Sequence, residues 1–188
     1  MENAPPIEPD TKDWTWVLEQ PCPDCGLDAS AVDRADLGRL IRDNAAGWET
    51  ALAAPDVTAR PRPGVWSVTE YACHVRDVHT LFGERVAMML ANDDPEFANW
   101  DQDATAVERR YDQADPAEVS PQLVAAAHGV ADAYDAVADA QWARPGRRSN
   151  GDAFTVESIG RYHLHDVAHH LWDVGFDPRH GVGDAGAT

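Results

Sequence analysis

The chain has 188 residues, 44% of them hydrophobic, enough for one domain with a real core and too apolar for a disordered chain. Its formal net charge is −18, which repels phosphate backbones, so no nucleic-acid partner is expected. No run approaches the roughly 20 apolar residues that a membrane span needs, and Met1 to Asp10 lacks the basic and apolar regions of a signal peptide, so the expected location is cytoplasmic, with no membrane partner.

Residues 1–28 read as an N-terminal arm that packs on the body through Trp14, Trp16, Val17 and Leu18. It contains Cys22-Pro23-Asp24-Cys25-Gly26, which looks like one zinc knuckle without a second CxxC to complete it. The favoured reading of Cys22 and Cys25 is therefore a separate thiol pair; Cys73 makes the count odd, unlike a secreted disulfide framework.

Four amphipathic helices are predicted within a 29–176 bundle. The first, about 33–53, carries Leu37, Leu40, Ile41, Ala45 and Trp48 at three- and four-residue steps. The second, 67 to about 91, opens on a Ser67/Glu70 capping box and carries Tyr71, Val75, Val78, Phe82, Val86 and Met89, with inward-facing His74 between them. Residues 92–115 read as loop with a short helix at 107–111. The third bundle helix, about 116–140, carries Leu123, Ala127, Val130, Tyr134 and Val137, with His128 exposed. The fourth, about 156–174, is capped by Thr155 and stopped by Gly175, and its inward stripe reads Ile159, Tyr162, His165, His169 and Trp172. No strand pattern stands out, and residues 177–188 read as a flexible tail. The expected architecture is an all-α, up-down four-helix bundle.

His165 and His169 are four apart and so stack on one helix face, where both imidazoles can meet one cation. With His74 as third ligand, a divalent metal such as zinc keeps one position open for water or a thiolate. Asp77, Asp166 and Asp173 are candidates to hold imidazole tautomers. His79 lies about 140° around the helix from His74 and cannot share the site. His163 should face away, and His170, about 100° aside, is either solvated or at a pocket rim. Arg144, Arg147 and Arg148 in one loop are candidates to contact an anion. His165-Asp166-Val167-Ala168-His169 also suggests HExxH, but Asp166 is one methylene short of the protease base and that reading is set aside.

Two segments together resemble the DinB-like superfamily. Gly64 to His74 resembles its W-S-x-x-E-x-x-x-H segment, and Tyr162 to Val174, with H-D-x-x-H-H-x-x-D-V, resembles its last-helix metal motif. The resemblance spans about residues 30–175. It implies a four-helix bundle with a metal, zinc or nickel, at the positions of His74, His165 and His169. It also implies kinship with S-transferases that use low-molecular-weight thiols such as mycothiol, and with a mycothiol-dependent isomerase branch. In that branch a Glu commonly stands where His165 does here, which turns the reading toward the three-histidine type. The expected function is a metal-dependent thiol S-transferase acting on a small electrophile, with a homodimer as the expected assembly. The alternatives are a non-catalytic metal-binding stress protein, the isomerase, and a bundle with a decayed site that serves only to dimerise.

Overall fold

The computed structural model describes Ile7 and residues 12–177. The leader reading of Met1 to Asp10 and the tail reading of 177–188, with His180, fall almost wholly outside them.

Four long helices form the bundle: α1 (Leu37–Leu52), α2 (Val68–Ala91), α4 (Pro116–Asp135) and α5 (Val156–Asp173). A short α3 (Gln102–Glu108) precedes α4. α1 and α2 each pack against both α4 and α5, whereas α1 and α2 meet only sparsely, so these consecutive helices stand diagonally across the bundle. The link from residue 53 to 67 therefore crosses one end of it.

Local chemistry sets the helix starts. Ser67 Oγ accepts from the Glu70 amide at 3.2 Å while Glu70 Oε2 accepts from the Ser67 amide at 2.8 Å, satisfying two amides that the helix cannot. Arg60 Nε holds the same carboxylate at 2.9 Å, tying the incoming loop to α2. Thr155 and Ser158 make the equivalent reciprocal pair at the start of α5, and Gly175, at φ 86°, ends that helix in the left-handed region. Asp115 caps α4, which runs through Pro121 without restarting.

The expected stripes of α1 and α4 are buried throughout, as is that of α2 apart from half-buried Tyr71. Each large apolar side chain so buried contributes about 1.5–3 kcal/mol. α5 differs. Its buried residues are Val156, Ile159, Gly160, His163, Leu164, Val167, Ala168 and Leu171, together with His165 and His169, while Trp172 is exposed and Tyr162 half-buried. The stripe thus passes through His163 instead of Tyr162. Gly160 allows this, since a Cβ there would lie 2.8 Å from Leu37 and 3.0 Å from the Tyr134 ring.

A three-stranded sheet was not foreseen. β1 (Glu96–Phe97) pairs in parallel with β2 (Pro145–Arg148), which pairs antiparallel with β3 (Ala153–Thr155). Strands of two to four residues are too short to show alternation. The arm forms a 3-10 turn at Thr15–Leu18, a second follows it at Ala29–Ala31, and its Cys22, Cys25 and Leu27 join the bundle's own core.

Candidate functional site

α5 offers two donor pairs, each spaced four apart and offset from the other by one residue. His165 and His169 lie on one line and Asp166 and His170 on the next, about 100° around the helix. The two lines face different partners. His165 and His169 meet Cys22 and Cys25 of the arm, with all four donor atoms within 4.8 Å of one another. Cys22 Sγ lies 3.6 Å from His169 Nδ1. Asp166 and His170 meet His74 of α2, again within 4.8 Å. Here Asp166 Oδ1 stands 3.8 Å from His74 Nε2 and 3.5 Å from His170 Nε2.

The expected trio is therefore divided: among the described residues, His74 shares no such cluster with His165 and His169. The reason is the phase of α5. Running the core through His163 turns the line of 166 and 170 toward α2, and the line of 165 and 169 toward the arm. Asp166, read as an outer partner, and His170, read as a rim residue, carry the donors facing His74. Cys22 and Cys25, read as a separate pair, lie beside His165 and His169. The sequence did hold a signal for this, since a CxxC and an HxxxH supply the four donors of a Cys2His2 site.

His74 is 1% exposed, and neither ring nitrogen has a hydrogen-bond partner. Burial lowers its pKa, against the opposing pull of Asp166. Burial pushes Asp166 up, but His74 and His170 outweigh it and hold the carboxyl well below the usual range. His170 Nδ1 pairs with Asp173 Oδ2 at 2.9 Å, which leaves Nε2 aimed at Asp166. A neutral buried imidazole and an anionic carboxylate are ligands that a divalent cation accepts without displacing protons from them, and His170 adds a third donor atom. In the other cluster, burial and then His169 lower His165 to about 4. Burial pushes the Cys25 thiol up to about 12, opposed by the Leu27 amide, which favours the thiolate.

His165 and His169 of one cluster and Asp166 and His170 of the other line a cavity of about 720 Å³. Trp100 stacks on His74 at 5.3 Å between ring centroids, and Trp66 lies at 5.2 Å. Trp14 of the arm covers His165 and His169 at 5.6 and 4.9 Å.

The remaining candidates are scattered. Asp77 accepts from the Tyr111 hydroxyl and pairs with Arg76 and Arg109, both at 2.9 Å, and so braces no imidazole in either cluster. Asp173 does brace one. The three arginines do not converge: Arg147 and Arg148, adjacent in β2, point to opposite faces, and Arg144 precedes the strand. Arg144 donates to the Met89 and Asn92 carbonyls at the end of α2. Arg147 pairs with Asp94 on the surface. Arg148 alone lines the cavity, lying over the Tyr162 ring at 4.9 Å with Nη2 buried and without a hydrogen-bond acceptor. His79 and His163 form a separate buried pair, Nδ1 to Nε2 at 3.0 Å, so His163 faces the core and not away from it. His128 is exposed, as expected.

No described helix is long and apolar enough to cross a membrane. A search among curated proteins finds no match. Among solved structures, YfiT from Bacillus subtilis, a four-helix bundle of unusual topology, superposes with a TM-score of 0.65 at 17% identity, over 75% of this chain and 85% of its own. At that identity the likeness shows the fold. The family model of the DinB superfamily matches residues 50–174, which takes in α2, α4, α5 and the whole His74, Asp166 and His170 cluster, and the chain belongs to that superfamily.

Proposed function

We propose that the protein is a metal-dependent enzyme in which His74, Asp166 and His170 hold a divalent cation at the cavity wall, and that it transfers a small thiol to an electrophile. The observation that carries the metal reading is His74. A buried imidazole with no hydrogen bond to either nitrogen costs folding energy, and the groups nearest it are two metal-ligating donors from α5, Asp166 at 3.8 Å from Nε2 and His170. When bound, such a cation supplies Lewis acidity that lowers the pKa of a thiol or water joining it. The chain's own residues do the rest. Asp173 fixes the tautomer of His170, Trp66 and Trp100 limit water around His74, and Arg148 offers a cation to an anionic thiol or substrate entering the cavity.

The thiol part of this reading rests on resemblance. Because the donor facing His74 is acidic Asp166, the ground for turning away from the isomerase branch is gone, and that branch's thiol dependence fits this donor set. A hydrolytic reading has separate support, since YfiT is described as "a probable metal-dependent hydrolase". Zinc and nickel are the cations expected.

The test is metal analysis of protein purified without a His tag, followed by turnover assays. Mycothiol with monochlorobimane probes transfer, and activated esters and amides without thiol probe hydrolysis. Thiol-dependent turnover that is lost in His170→Ala supports the proposal. Metal-dependent hydrolysis with no thiol dependence replaces it with the hydrolase. Stoichiometric metal with neither activity points to the binding protein.

A further inference from the structure

We infer that Cys22, Cys25, His165 and His169 form a second metal site, a closed Cys2His2 zinc centre that fastens the N-terminal arm to α5. The donor set is the first ground. Two thiols and two imidazoles, one pair on a turn and the other one helical turn apart, are the four ligands of a structural zinc, with no position left for substrate. Geometry is the second. Bonds of about 2.3 Å to sulfur and about 2.0 Å to nitrogen, at tetrahedral angles, separate S from N by about 3.5 Å. Cys22 Sγ and His169 Nδ1 stand 3.6 Å apart, and the remaining donors fall within 4.8 Å.

Burial is the third. All four residues are buried, and His165, 3% exposed, keeps its Nε2 without a hydrogen-bond partner. A thiol–imidazole hydrogen bond between Cys22 and His169 serves two of the four groups, whereas a shared cation engages all four at once. Finally, the turn is shaped for the purpose. The Gly26 amide donates to the Cys22 carbonyl at 2.9 Å, the Cys22 amide donates to the Leu27 carbonyl at 2.9 Å, and Gly26 adopts φ 75°. The loop thus presents both sulfurs to the same side. On zinc uptake the two thiols release their protons to solvent and bind as thiolates, with no change of oxidation state. The site would also hold Trp14 over the cavity, giving the wall beside the His74 cluster a fixed position.

The test uses the full chain purified without a His tag. Replacing bound metal with cobalt should give thiolate-to-cobalt charge-transfer absorption, and this should persist in His170→Ala and vanish in Cys22→Ser/Cys25→Ser. If the double variant does not fold, titrating the wild type with a mercurial should release one zinc to a chromophoric chelator as its thiols react. Cobalt-loaded wild type without charge-transfer absorption would overturn the inference, as would thiols that react with no release of zinc. The two sites fail separately. One metal carrying the thiolate signature, unchanged in His170→Ala, leaves this centre standing and removes the proposed catalytic one; metal without that signature does the reverse.

Discussion

The two donor clusters sit on one helix, a single residue out of phase, and differ in nearly everything else. The Cys22, Cys25, His165 and His169 cluster is buried and offers four donors from two distant segments. The His74, Asp166 and His170 cluster offers three, two of them half-buried, and residues of both clusters line the cavity. The first has the composition of a fastener and the second that of a reaction site, because only a vacancy lets a cation meet a substrate. Adjacent residues of α5 can thus carry unrelated duties, and chemical type alone does not tell which histidine has which.

The sharpest way to break this comparison is to change neighbours. His170→Ala should lower turnover at least about 10³-fold, since a Lewis acid contributes several kcal/mol to a transition state. Its thermal midpoint should fall only modestly. His169→Ala should show the larger drop in midpoint and lose the cobalt–thiolate absorption. Equal effects of the two variants on both readouts would collapse the distinction. A control that belongs to neither site is Arg60→Ala, which strands the buried Glu70 carboxylate at the start of α2. It should cost about 3 kcal/mol in chemical denaturation while both metals stay bound. Asp173→Asn weakens the brace on His170 and should reduce cation affinity at the cavity site about 10- to 100-fold, with a smaller change at the thiolate site.

Acid supplies the next test. Burial, and then the neighbouring His163, keep His79 neutral well below its ordinary 6.5. Above that value both folded and unfolded states are neutral, and the contribution to stability is complete. As the pH falls through 6.5, the unfolded chain takes up a proton that the folded chain refuses, so stability drops by about 1.4 kcal/mol at about pH 5.5. Urea midpoints of the wild type and His79→Gln should diverge by this amount between neutral and acid pH. Parallel curves would remove His79 as the cause. The smallest effect is expected from Arg148→Gln, a roughly three- to tenfold rise in KM for an anionic substrate with kcat little changed.

Most of the bundle could be read from residue spacing. Leu37 to Trp48 and Leu123 to Val137 announced their buried faces, and Ser67 with Glu70 marked the start of α2. α5 was harder, since its face is built from histidines. Treating Tyr162 and Trp172 as apolar and His163 as polar rotates the apparent stripe by one residue, and that rotation moves the ligand reading from 166 and 170 to 165 and 169. What hydropathy misses there is the pairing of His163 with His79 and the Tyr134 hydroxyl, which makes an imidazole acceptable in a core. The sheet was hidden by its brevity. The arm's partner was hidden by distance, because nothing near Cys22 and Cys25 in the chain says which helix completes them.

That distance bears on how the molecule is made. From Cys25 to His165 is 140 residues (165 − 25), so the arm leaves the ribosome long before the helix that receives it. At about 5–20 residues per second, the two thiols wait roughly 7 to 28 seconds before His165 and His169 are there to share a cation. Only a chain synthesised through α5 can close the loop, and a truncated one leaves both sulfurs exposed to solvent. Closure of the junction between the arm and α5 therefore follows the making of α5, and a reagent that distinguishes free thiols from sequestered ones can follow it.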